Sequence, residues 1–104
     1  MKPRVSILTL GVADLTRSVA FYRDGLGLPL RDGAEGIAFF DLQGLTLALY
    51  PREALAEDAT VPAEGAGFRS FTLAHNVGSP DEVDRTLAEA VEGGATLVKA
   101  GQQV

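Results

Sequence analysis

Apolar side chains recur along this chain with two periods, and the switches between them divide it into elements. Residues 5–12, rich in Val, Ile, Leu and Thr, read as a strand. Asp14 then stands where a helix N-cap belongs, its carboxylate placed to accept from the free N–H groups of a first turn. Leu15, Val19, Tyr22 and Leu26 follow at the spacing of one helical face, and Gly25 and Gly27 stop that helix. A short strand is expected over residues 28–31. Two apolar runs, 37–42 and 45–50, flank Gln43-Gly44, a two-residue turn that predicts a hairpin closed by Pro51. A short helix over 52–57 and a Pro- and Gly-containing loop over 58–67 come next.

The second half repeats the outline. Residues 68–77 read as a strand, and Ser79-Pro80-Asp81-Glu82 is a capping box with proline at the first helical position. Val83, Leu87, Ala90 and Val91 supply the buried face of that helix, Gly93-Gly94 ends it, and 95–99 reads as a strand. Superposing the caps Asp14 and Ser79 brings Leu8 onto Leu73, Leu10 onto His75 and Val12 onto Val77. So long a period signals two related halves, with module one over about residues 1–57 and module two over about 68–104. By the same logic the counterpart of the first hairpin would occupy roughly residues 102–115, so the second module is incomplete in this chain.

Composition narrows the picture. A chain of 104 residues with 46% hydrophobic and 22% charged residues is one globular domain, with a core adequate but not generous, so help from a partner chain is expected. A formal net charge of -5 repels nucleic acid and anionic membranes and would favour a cationic ligand. There is no cysteine, which removes disulfides, thiolate metal sites and thiol nucleophiles. The first residues, Met1-Lys2-Pro3-Arg4-Val5, lead into an apolar run broken by Gly11 and Asp14, neither a signal peptide nor a membrane span. A cytoplasmic location is expected.

The run from Val5 to Leu15, with Arg17-Ser18, Phe21-Tyr22 and Gly25-Leu26-Gly27-Leu28 after it, resembles the start of the vicinal oxygen chelate superfamily: glyoxalase I, extradiol dioxygenases, fosfomycin-resistance enzymes and bleomycin-resistance proteins. The resemblance implies an α+β fold of paired βαβββ modules, forming a cupped mixed sheet with helices on its outer face. It further implies a pocket that usually holds a divalent metal, and a homodimer. The ligand position on the first strand is here Ile7, its counterpart in the second half is Thr72, the carboxylate position falls near Ala48, and the last lies beyond residue 104. Ile and Ala have no donor atom and a neutral Thr hydroxyl is a weak ligand, so no metal and no cofactor are expected.

Strand alternation sorts the candidate site. Leu42 pairs with Leu45 across the turn, which sends Phe40, Leu47 and Leu49 to the helix side and Ile37, Phe39, Asp41, Thr46, Ala48 and Tyr50 to the pocket side. With Ile7, Thr9, Ser70 and Thr72 they make an apolar cup carrying a few hydroxyls and one carboxylate, the character of a small-molecule site. The ligand-binding set is therefore Ile7, Thr9, Phe39, Ala48, Tyr50, Ser70 and Thr72; catalytic residues cannot be named. The bland alternative is a closed core between sheet faces.

His75, the one histidine, falls on the strand face opposite Thr72 and reads as a packed, structural residue. Asp41 lies one residue before the turn and reads as solvated. Asp81, Glu82, Asp84, Glu89 and Glu92 are the solvated face of their helix, and residues 33–36 lack the strand–loop–helix setting of a phosphate loop. The function expected is that of a glyoxalase/bleomycin-resistance-like, metal-free small-molecule binding protein. The alternatives are a metal-dependent lyase or dioxygenase with atypical ligands, and a structural module.

Overall fold

The order of elements in the computed structural model follows from the turn chemistry of the first half. Residues 1–102 are described; Gln103 and Val104, the end of the expected second module, lie outside the described residues. The elements are β1 (Ile7–Val12), α1 (Leu15–Ala20), β2 (Ala38–Leu42), β3 (Leu45–Pro51), α2 (Arg52–Ala59) and α3 (Pro80–Glu92). The chain divides into two compact units, Met1–Glu64 and Gly65–Val104.

In the first unit β3 is the central strand. It runs parallel to β1, with Ile7 opposite Thr46 and Leu10 opposite Leu49, and antiparallel to β2, with Leu42 opposite Leu45 as the two-residue turn requires. Gly44, at φ 84, supplies the left-handed conformation that turn needs. The short strand expected over 28–31 is reduced to one bridge, Leu30 opposite Phe40. Hydrogen bonds from Arg31 N to Phe39 O (2.8 Å) and from Asp41 N to Pro29 O (3.2 Å) flank it. Pro29 has no N–H to extend the ladder, which is why pairing stops there.

Asp14 caps α1 through a 3.1 Å bond that its carboxylate accepts from Arg17 N. The helix then widens into one π turn, Phe21–Gly25, where Leu26 N donates to Phe21 O at 2.9 Å. Leu15, Val19 and Tyr22 pack on Ala38, Phe40, Leu47 and Leu49, the buried cluster on one face of the sheet. Phe40 and Leu49 are wholly buried. The core of this unit is thus the hairpin covered by α1, and the alternation read from the sequence assigned its faces correctly.

The second unit keeps its helix but not its strands. Ser79 Oγ accepts from Glu82 N at 3.3 Å and donates to Glu82 Oε1 at 3.3 Å, so the N-cap forms as the sequence predicts, while the Glu82 carboxylate reaches back to Gly78 N at 3.5 Å, one residue short of the box's usual donor. Gly94, at φ 117, lets the chain leave α3. Residues 68–77 and 95–99 form no ladder among the described residues. A strand exists only with a hydrogen-bonding partner, and Ser70 at φ 69 breaks the extended run. Phe68, Phe71 and Leu73 are consequently exposed, and so is His75, which is not packed as the sequence suggested. Val83 and Val91 of α3, expected in a buried face, are 39% and 45% exposed. Leu87, Val91 and Leu97 line an open apolar groove of about 510 Å³.

Candidate functional site

The face of the sheet turned away from α1 carries the candidate residues of the first half in cross-strand rows. Ile7, Thr46 and Asp41 form one row, and Thr9, Ala48 and Phe39 the next; Gly11 and Tyr50 are opposite each other in a third. Five of the seven expected ligand residues, Ile7, Thr9, Phe39, Ala48 and Tyr50, therefore share one surface. Ala48 at its centre is wholly buried, Thr9, Phe39 and Tyr50 are half-buried and Ile7 is exposed. Ser70 and Thr72 belong to the second unit, both exposed in its unpaired segment.

Arg31 belongs to the same surface and was not singled out by the sequence. Its backbone donates to Phe39 and its neighbour Leu30 turns to the core, so alternation puts Arg31 at the outer end of the Thr9–Ala48–Phe39 row. Its guanidinium lies over the Phe39 ring, 5.2 Å from the centroid. Nη2 donates to Asp41 Oδ1 at 2.5 Å and to Thr46 Oγ1 at 3.4 Å, and Nε donates to Asp41 Oδ2 at 3.5 Å. Asp41 is exposed as expected, but it is ion-paired and not simply solvated. The signal was present: period-two alternation from Leu28 and Leu30 leaves Arg31 on the side of Asp41.

The Arg31 guanidinium beside Asp41, chiefly through its hydrogen bonds, holds the carboxyl below the ordinary value of 3.8. A depressed folded pKa means the pair contributes stability in full above that ordinary value and loses it as pH falls through the lowered one. Asp41→Asn is therefore expected to flatten the acid limb of a plot of melting temperature against pH, between about pH 2 and 5. The effect will be small, because both groups are exposed and screened. An unchanged acid limb would mean that the pair is not populated in solution.

The donor set does not fit a catalytic metal. Ile7 and Ala48 offer no donor atom, Asp41 is engaged by Arg31, and Thr9 and Thr46 contribute neutral hydroxyls. Among the described residues there is no group of three His, Asp or Glu side chains that could hold a metal ion. No helix among them is long and apolar enough to cross a membrane.

Comparison with known proteins identifies the family to which this fold belongs. Residues 4–103 match the Glyoxalase/Bleomycin resistance protein/Dioxygenase superfamily model, and the chain belongs to that superfamily. It is similar to a glyoxalase-related enzyme from Fulvimarina pelagi (33% identity, TM-score 0.76), covering 88% of this chain and 66% of that one. It is also similar to a glyoxalase/bleomycin resistance protein/dioxygenase from Nocardioides (30% identity, TM-score 0.72; 95% of this chain, 67% of that one). A family enzyme from Burkholderia phytofirmans shares the fold at 23% identity and TM-score 0.85, over 97% of this chain and 81% of that one. The chain thus spans about two thirds of the length of the first two, in keeping with an incomplete second module. No curated protein matches it.

Proposed function

We propose that this chain is a metal-free small-molecule binding protein of the superfamily, taking its ligand on the sheet face of Ile7, Thr9, Phe39, Ala48 and Tyr50 in the first unit. One observation carries the reading. The face is apolar and hydroxyl-bearing at the positions where a metal centre needs imidazole or carboxylate, and its one carboxylate is neutralised by Arg31. Such a surface binds by apolar contact with a few orienting hydrogen bonds. Pairing with a second copy belongs to the same reading: β1 is bonded on one side by β3 and has an open outer edge among the described residues, a liability that a partner removes.

Two measurements test it together. Protein supplied with nickel, zinc, manganese and iron and then dialysed should carry metal at background level by elemental analysis. At least one compound of a small-molecule library rich in single-ring aromatics should raise its melting temperature. Near-stoichiometric metal surviving dialysis would overturn the reading in favour of a lyase or dioxygenase with unconventional ligands. A library without a single stabilising compound would also end it. Sedimentation equilibrium should show a mass twice that of the 10.9 kDa chain.

A further inference from the structure

We infer that Arg31 is a positioning residue of the ligand face: held by Asp41 and Thr46, it fixes the side-chain conformation of Phe39, so that Asp41 acts on the ligand without touching it. The inference rests on the binding reading above and adds how the aromatic group of that face is set.

Phe39 is half-buried, and the sheet itself gives its ring little lateral support. Its cross-strand partner on β3 is Ala48, whose side chain is a single methyl, and no other aromatic ring packs on it among the described residues. The opposite side is supplied by Arg31, whose backbone N donates to Phe39 O at 2.8 Å and so brings the two residues alongside each other. The guanidinium carbon stands over the ring, 5.2 Å from its centroid and within the range of a cation–π contact. Swinging the ring about χ1 would forfeit that contact.

A long, exposed arginine would not hold a ring unaided, because fixing it costs rotamer freedom. Three bonds offset that cost. Asp41 accepts from Nη2 at 2.5 Å and from Nε at 3.5 Å, and Thr46 Oγ1 accepts from Nη2 at 3.4 Å. Asp41 and Thr46 are themselves cross-strand partners, one row along from Phe39 and Ala48. The head group is thus tied to β2 and β3 while it stands over the ring. A ring already settled in one rotamer costs a ligand less ordering on binding. Exposed ion pairs and exposed cation–π contacts are each modest, so the consequence is a shift of rotamer populations by a factor of about three, not a loss of fold.

The test reads the ring and a ligand separately. Three-bond couplings from Phe39 Cγ to its amide nitrogen and its carbonyl carbon report the χ1 populations in the ¹³C,¹⁵N-labelled chain. One rotamer should dominate in the parent, and Asp41→Asn and Arg31→Gln should each lower that preference about threefold. The double variant should add nothing further, since both substitutions act through the same head group. Substitutions that only destabilised the fold would lower the melting temperature and leave the couplings alone. Arg31 and Asp41 are exposed, so the variants should fold, and their spectra report that directly. Benzyl alcohol, a neutral single-ring probe, should bind each variant about threefold more weakly than the parent in a chemical-shift titration. Unchanged couplings in the variants would overturn the hold on Phe39 while leaving a binding face in place. Averaged couplings with unaltered benzyl alcohol affinity would overturn the role in binding. A parent spectrum that benzyl alcohol does not shift overturns this inference alone, because the library melt decides the broader reading separately.

Discussion

Phe40→Ala is expected to remove most of the stability of the first unit, about 3–5 kcal/mol of a total that for domains lies at about 5–15. Phe40 is wholly buried at the centre of the hairpin, opposite Leu47, with the Tyr22 ring of the π turn that follows α1 6.0 Å away at 53°. Truncation leaves a cavity between α1 and the sheet, and this small unit has few buried side chains with which to refill it: besides Phe40, only Ala38, Leu47, Ala48 and Leu49 are buried. Urea denaturation followed by far-UV circular dichroism measures the loss. Phe40→Leu, nearer in volume, should cost less than about 1.5 kcal/mol and remain folded. It also gives a second readout. Burial pushes the Tyr22 hydroxyl above its ordinary value of 10.0, and loosening its cover should bring the ultraviolet titration back toward that value. A loss under about 1 kcal/mol for Phe40→Ala would mean that the α1–sheet contact is not what holds this unit together.

That centre was readable because its determinants are local. Gln43-Gly44 fixes the turn, the turn fixes the register, and the register fixes which side of each strand is buried. Asp14 and Ser79 likewise act within one helical turn of themselves. Residues 68–77 and 95–99 have the composition of strands, but a ladder needs a second backbone, and no pattern inside a segment guarantees one. The site divides along the same line. Ile7, Thr9, Phe39, Ala48 and Tyr50 come together because alternation and the two β3 pairings place them there. The Arg31–Asp41 pair depends on a single bridge at Leu30, where ladder and loop compete, so only the alternation hinted at it. Exposure of His75 follows from the missing ladder and removes the packed role its strand position implied.

Gly11 shows what the alternation pattern alone hides. In sequence it is a glycine interrupting an apolar strand, and a β-branched residue there should gain up to about 1 kcal/mol in strand preference. In the fold it lies on the candidate ligand face, and a Cβ built on it would sit 3.3 Å from Arg52 Cα and 3.3 Å from Leu55 Cδ2. The first turn of α2 thus crosses over Gly11 and walls one end of that face. The Leu55 methyl can shift, but Arg52 Cα is backbone, held at the start of a helix that follows Pro51 directly. Gly11→Val is therefore expected to cost about 1–3 kcal/mol of overpacking, which outweighs the strand-preference gain and gives a net loss. Gly11→Ala should lose less, since its single carbon needs only a few tenths of an ångström. Denaturation of both variants beside the parent chain settles the sign. If Gly11→Val is neutral or stabilising, α2 does not rest on β1 in solution. If the loss is graded from alanine to valine, the same contact that closes the end of the ligand face also holds α2 in place. Ligand affinity should then fall with stability in these two variants.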